Sequence, residues 1–281
     1  MVGKNICLIG GGNMGESIIA GLIQGGHDKG GIYVADPYQP RLEYLKKTYG
    51  VFVTTSNIEC LNGVKNGKPD IIIIATKPSY VPVVISETRD ILKRTNPLLM
   101  SIAAGVSSSS IYNWASDDEY KTVAVVRMMP NTPALVNEGA AGLISNEYVT
   151  PEQKALAETV AKNLSKYFFW FKTDRDIDSV TAISGSGPAY FFYVMEAMEK
   201  AAVEMGLDKE SSRKLIAQTC IGAGKMVLGT DKEISELRAA VTSPNGTTHA
   251  AIESMKADSV GEHIAKGCHA AKARSIELSK M

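Results

Sequence analysis

The sequence predicts an N-terminal Rossmann-type, doubly wound parallel α/β sheet followed by an all-α C-terminal dimerisation domain. Three observations predict it. Short β-rich runs alternate with helical stretches through the first half, a glycine-rich turn joins the first such pair, and no strand pattern appears beyond Pro188. Alternating β and α order implies parallel strands with helices on both faces of one sheet. A length of 281 residues suits two domains, expected here at 1–172 and 173–281.

The strands are expected at Asn5–Ile9, Ile32–Asp36, Val51–Thr54, Asp70–Ala75, Leu98–Ala103 and Val123–Met128. The run Ile71 to Ala75 has no polar alternation, as a central strand covered on both faces should not. Between strands, Met14, Ile18, Ile19, Leu22 and Ile23 recur at helical spacing, as do Leu42 and Leu45. Ala141–Ser145 and Tyr167–Phe171 are placed to extend the sheet edge, with a helix between them opened by Thr150-Pro151-Glu152. Tyr190 to Met205 reads as a helix in which Phe191, Phe192, Val194, Met195, Met198, Ala201 and Ala202 leave only a narrow polar stripe. A small helical domain has little volume in which to hide such a helix, so a second subunit is its expected cover. Leu215 to Leu228 repeats the theme, with Gly222, Ala223 and Gly224 permitting close helix approach.

Composition narrows the function. Thirty Lys plus Arg balance thirty Asp plus Glu, so no broad attraction to nucleic acid or anionic membrane is implied. No apolar run approaches the roughly twenty residues that span a bilayer. The N-terminus runs straight into a strand without the succession of a signal peptide, which points to a cytoplasmic protein. Cys7, Cys60, Cys220 and Cys268 are far apart and read as reduced thiols. His263 and His269 do not share a helical face, so no metal is expected.

The chemistry starts at Gly10-Gly11-Gly12-Asn13-Met14-Gly15, a GxGxxG that closes a strand and opens a helix. Gly10 permits the tight turn, Gly12 lets a pyrophosphate approach the backbone, and Gly15 lets the helix pack on the strand. The helix N-terminus then offers free N–H groups and a positive dipole to the phosphates of NADPH or NADH. Asp36 ends the second strand about 20 residues later, where an acid bonds ribose hydroxyls and repels a 2′-phosphate. Arg41 and Lys46 or Lys47 lie just downstream and can accommodate that phosphate, so the sequence leaves the preference open. Ligands of an open α/β sheet bind beyond the carboxyl ends of its strands. Those ends carry Ala75-Thr76-Lys77-Pro78, Ser101-Ile102-Ala103-Ala104-Gly105 and Arg127-Met128-Met129-Pro130-Asn131-Thr132-Pro133. They make Lys77 either a candidate for catalysis or a solvated loop lysine, and Asn131 a candidate for substrate binding. Late in the chain, Ser243-Pro244-Asn245-Gly246-Thr247-Thr248 precedes a helical stretch, Ala250 to Lys256. Such a helix start can grip a carboxylate through backbone N–H groups, or be no more than a Thr-capped turn.

Taken together these blocks resemble the Δ1-pyrroline-5-carboxylate reductases, and the resemblance runs essentially end to end. It is carried by GGGNMG, ATKP, SIAAGV, RMMPNTPALVNEG, AISGSGPAY, MGL, AQTCIGAGKMVL and AVTSPNGTT. It implies hydride transfer from NAD(P)H to the C=N carbon of a cyclic imine, giving L-proline. It implies that Ser243, Gly246, Thr247 and Thr248 hold the substrate carboxylate, with the Thr248 hydroxyl by the ring nitrogen as a catalytic group. Gly10 to Gly15, Asn57, Thr76, Lys77, Pro78, Ala103, Ala104 and Gly105 would line the cofactor. Dimers would form by intertwining C-terminal helices, often assembling further into decamers. Two positions depart from the family pattern. Asn245 replaces the first glycine of a usual Pro-Gly-Gly, and Asn tolerates left-handed backbone better than most residues. His249 stands where an apolar residue is expected, either as a proton source or as an incidental helix-start histidine.

Two rivals are weighed. A β-hydroxyacid dehydrogenase needs a catalytic lysine on a helix near the domain junction, but the stretch after Ser184-Gly185-Ser186-Gly187 offers none before Lys200. A non-catalytic NAD(P)-sensing protein would need no carboxylate loop.

Overall fold

The structure of the protein, a computed structural model, describes residues 3–279. It divides into two compact units, one running to Ser186 and resuming at Ala271, the other spanning Gly187–Ala270.

The first unit holds an eight-stranded sheet. Its strands are β1 (Ile6–Ile9), β2 (Ile32–Ala35), β3 (Phe52–Thr54), β4 (Ile71–Ile74), β5 (Leu98–Ser101), β6 (Val125–Met129), β7 (Ala140–Ser145) and β8 (Tyr167–Trp170). They lie in the order β3-β2-β1-β4-β5-β6-β7-β8. Its helices are α1 (Asn13–Gln24), α2 (Gln39–Tyr49), α3 (Asn57–Asn62), α4 (Val81–Thr95), α5 (Ser108–Ala115), α6 (Pro151–Leu164) and α7 (Asp174–Val180). The order reverses between β1 and β4, which makes the crevice beyond their carboxyl ends the place for a ligand.

Burial explains the uninterrupted apolar strands. Ile6, Leu8, Ile71 and Ile73 enter one core with Ile18, Ile19 and Leu22 of α1. Cys7, Ile9, Ile72 and Ile74 enter the other, with Cys60 and Leu61 of α3 and Val84, Ile85, Ile91 and Leu92 of α4. Successive side chains point to opposite faces, so a strand covered on both sides must be apolar throughout.

The expected parallel order holds from β3 to β6, but β7 runs antiparallel to β6 and β8 runs parallel to β7. The connector of residues 130–139 explains the reversal, being shorter than the roughly dozen residues a parallel crossover needs. The sixth strand begins two residues later than the sequence suggests. The Asn146 side chain donates to the Val123 carbonyl (2.7 Å) and accepts from the Val125 N–H (3.0 Å), taking the place of ladder partners there.

The second unit contains α8 (Gly187–Glu204), α9 (Lys209–Leu228), α10 (Ile234–Ala240), α11 (Thr247–Ala257) and most of α12 (Val260–Leu278). Between α7 and α8, Thr181–Gly185 forms a π-helical turn that takes in the first two residues of the SGSG block and is closed by Ser186 N–H on the Thr181 carbonyl (2.8 Å). Asp208 caps α9 by accepting from the Ser211 N–H (2.9 Å). Phe191, Phe192, Tyr193 and Met198 of α8 are 46–75% exposed in the single chain, as are Leu215 and Met226 of α9 at 60% and 56%. So large an apolar surface is the mark of a face built for another subunit. Among the described residues no helix is long and apolar enough to cross a membrane.

Candidate active site

The glycine-rich loop lies between β1 and α1, at the sheet's switch point. Gly10 has φ +107°, and a Cβ there would stand 2.6 Å from the Ala75 carbonyl oxygen. A Cβ at Gly15 would stand 2.3 Å from the Gly10 carbonyl oxygen. These two glycines let the turn, β4 and α1 close on one another. Gly12 is different. A Cβ there would meet nothing within 4 Å, so the space above it is open to a ligand. Gly12 is also the N-cap of α1 and supplies no side-chain cap, which leaves helix-start N–H donors for an anion. Asn13 beside it is exposed and Met14 half-buried. The loop therefore fits the pyrophosphate of a dinucleotide.

Around this loop the strand ends converge. Thr76 follows β4, and its hydroxyl is buried without a hydrogen-bond partner. Lys77 and Pro78 come next and are exposed. After β5, Ala103 is buried with its N–H on the Ser101 hydroxyl (3.2 Å), and Ala104 is half-buried. Gly105 lies against Leu278, whose Cβ would be 2.6 Å from a Cβ at that position. Asn57 opens α3 and donates from its side-chain amide to Glu87 (2.9 Å). Asn131, two residues beyond β6, has both halves of its amide engaged. It donates to the Ser184 carbonyl (3.1 Å) and accepts from the Ala140 N–H (2.9 Å), tying the π turn to the start of β7.

Asp36 and Arg41 act on the loop itself. Asp36 accepts from the Gly11 N–H (2.7 Å) and the Tyr38 N–H (2.9 Å). Arg41 donates to the carbonyls of Gly11 and Gly12 and pairs with Glu16, its guanidinium 5.2 Å from the Tyr44 ring centroid. Tyr44 and Tyr49 also donate to Glu16, each at 2.8 Å. Burial would raise the Glu16 carboxyl, but bonds from Tyr49, Tyr44 and Arg41 outweigh it and hold the group below its ordinary range. Burial and the Glu16 contact push Tyr49 up to about 12. The sequence reading missed this cluster because its members are 25 to 33 positions apart. A signal existed, however. An acid in the first turn of a phosphate-binding helix repels the ligand unless a cation neutralises it.

A buried ion-pair network was also missed. Arg127 on β6, 1% exposed, donates to Asp174 (2.8 Å) and Asp178 (3.1 Å) of α7. Asp174 in turn accepts from the Ser108 N–H and hydroxyl (both 2.8 Å) at the start of α5. Asp178 accepts from the Ser275 hydroxyl (2.8 Å) in the last turns of α12. The strand-end position suggested that Arg127 borders the ligand, but its guanidinium is turned into this network.

In the second unit the loop of residues 241–246 leads into α11. Asn245 has φ +60°, the left-handed conformation that asparagine tolerates. Gly246 is the N-cap, again without a side-chain cap, and Ser243, Thr247 and Thr248 are exposed. The α11 start thus offers backbone donors and two hydroxyls to an anion. His249 is half-buried. One turn on, the Glu253 carboxyl is held below its usual range by the hydrogen bond it accepts from Lys256 and then by the Lys256 charge. Among the described residues no group of three His, Cys, Asp or Glu side chains is placed to hold a metal.

Comparison with known proteins places these features in one family. Residues 174–278 match the family model for pyrroline-5-carboxylate reductase dimerisation, and residues 5–105 match that for NADP oxidoreductase, coenzyme F420-dependent. A pyrroline-5-carboxylate reductase of Pseudomonas aeruginosa is 38% identical over 98% of this chain and 97% of its own. Among solved structures, the reductase of Coxiella burnetii is 39% identical with a TM-score of 0.88, covering 99% of both chains. The pyrroline carboxylate reductase of Plasmodium falciparum, solved with NADP bound, is 27% identical with a TM-score of 0.86, covering 99% of this chain and 98% of its own. With relatives of that name matched over 98–99% of its length at 38–39% identity, the chain belongs to the pyrroline-5-carboxylate reductase family.

Proposed function

We infer that this chain reduces Δ1-pyrroline-5-carboxylate to L-proline with NADH or NADPH, the last step of proline biosynthesis. The observation that carries the inference is the end-to-end relation to reductases of that name, at 34–38% identity. A dinucleotide held by the glycine loop would supply the hydride for the C=N carbon. The protein's part is to bind and orient. The α1 start and the open space over Gly12 would receive the pyrophosphate, with Asn13, Met14, Thr76, Lys77, Pro78 and Ala103 to Gly105 around the rest. Ser243, Gly246, Thr247 and the α11 N–H groups would hold the substrate carboxylate, and the Thr248 hydroxyl would face the ring nitrogen. An iminium that arrives protonated needs no dedicated general acid, so most of the rate comes from orientation. The protein would work in the cytoplasm as a homo-oligomer, a dimer or a decamer built from five dimers, joined through the exposed faces of α8 and α9.

The test follows NAD(P)H absorbance with pyrroline-5-carboxylate as substrate. Turnover is expected, and none with either cofactor would overturn the reading. Thr248→Ala is expected to lower kcat/KM roughly 10- to 150-fold, the loss of one hydrogen bond to a charged group worth about 1.5–3 kcal/mol, with little change in Tm. Wild-type efficiency in that variant would remove Thr248 from the site. Lys77→Ala is expected to weaken turnover or cofactor binding while the melting temperature holds, since Lys77 is exposed at the sheet's carboxyl edge. Unchanged kinetics would make Lys77 a bystander.

A further inference from the structure

We propose that this chain selects NADH over NADPH, with Asp36 as the discriminating residue and Arg41 as a positioning residue for the glycine loop. The proposal rests on the reductase reading for its catalytic arm but not for its binding arm.

The 2′-phosphate of NADPH would fall at the end of β2, where a dinucleotide fold presents its ribose contacts. Asp36 holds that place. Its two oxygens are fixed by the N–H groups of Gly11 and Tyr38, so the carboxylate cannot swing away without releasing the loop. Its remaining lone pairs suit the two hydroxyls of an unphosphorylated ribose and repel a phosphate.

An arginine nearby is the usual remedy, and Arg41 stands close enough to be taken for one. Three of its five N–H donors are already assigned, and they hold the guanidinium over the loop. Nε and one terminal nitrogen hold the Gly11 and Gly12 carbonyls, and that terminal nitrogen also pairs with Glu16. Glu16 lies in the first turn of α1, beside the place for the pyrophosphate. Were Arg41 to leave for a 2′-phosphate, it would bare an acid next to the ligand's own phosphates. Its charge is needed where it is. Lys46 and Lys47 offer no substitute. They lie in the last turn of α2, which places them about 10 Å along the helix from its start at 1.5 Å per residue.

The first experiment measures Kd for NAD+ and NADP+ by calorimetry on the wild-type oligomer. NAD+ is expected to bind at least about tenfold more tightly, since a like charge at close range costs that much or more. The ratio of kcat/KM for NADH over NADPH should follow it. Asp36→Ser is expected to cut the NAD+/NADP+ ratio by about tenfold or more, chiefly through tighter NADP+ binding. Because that change could loosen the loop, Arg41→Met is measured beside it. A positioning arginine predicts weaker binding of both dinucleotides with their ratio unchanged. Equal or tighter NADP+ binding by the wild type, or a selective loss of NADP+ binding in Arg41→Met, would overturn the proposal. Selective NAD+ binding without pyrroline-5-carboxylate turnover would instead sustain it and sink the reductase reading.

Discussion

Two severely impaired variants, Gly12→Asp and Thr248→Val, should regain activity when refolded together, reaching about a quarter of wild type. The expectation holds if each active site is shared between two chains, as intertwined C-terminal helices would bring about. In that arrangement the glycine loop comes from one subunit and the α11 start from its partner. Each mixed dimer then contains one site with both defects and one with neither, and random pairing makes half the dimers mixed. Gly12→Asp suits the test because its Cβ enters open space, so the carboxylate opposes the pyrophosphate without a clash in the fold. Thr248 is exposed, and valine there removes the hydroxyl at little structural cost. The driving force for pairing is visible in α8, where Phe192 and Tyr193 are 64% and 75% exposed in the single chain. Steady-state rates of the mixture against each variant refolded alone give the answer. No gain at any mixing ratio would mean that every site is made within one chain.

Arg127→Met should destabilise the protein by about 3–5 kcal/mol, the usual cost of stripping one partner from a buried ion pair. Methionine nearly refills the volume, so the loss isolates the charge. Asp178, 3% exposed, would keep only the Ser275 hydroxyl, while Asp174 keeps the α5 start and some solvent. The double variant Arg127→Met with Asp178→Leu should lose much less than the sum of the two singles, because the deeply buried charge goes with Asp178, while Asp174 keeps Ser108 and some solvent. Denaturant unfolding of the four proteins checks both statements. A single-variant loss below about 1 kcal/mol would show that the network contributes little.

Where the sequence was informative, the reason was local. Ile71 to Ile74 had to be a central strand because no polar residue interrupts it, and Gly10 to Gly15 carries its own geometry in the residue types. Asn245 in the left-handed region was likewise readable from its place in a glycine's position. The opposite sheet direction of β7 was written only in the length of a connector. The partners of Arg127 and Arg41 were not legible because charges 25 to 51 positions apart carry no periodic signal. Asn131 illustrates the same limit. A polar residue at a strand end reads as a ligand contact, yet its amide joins two backbone segments that the sequence does not show to be neighbours.

The resumption of the first unit at Ala271 gives biosynthesis a fixed order. A ribosome that has finished Ser186 has made all eight strands, yet the Ser275 hydroxyl on Asp178 and the Leu278 side chain against Gly105 do not exist. At about 5–20 residues per second they follow on the order of 10 s later, after the whole helical unit has emerged. Residues 3–186 must wait through that interval with Asp178 short of a partner and the loop after β5 uncovered. The nascent sheet therefore lacks these two contacts until synthesis is nearly complete, and a stop codon just after Ala270 should leave it without them rather than trim a dispensable tail.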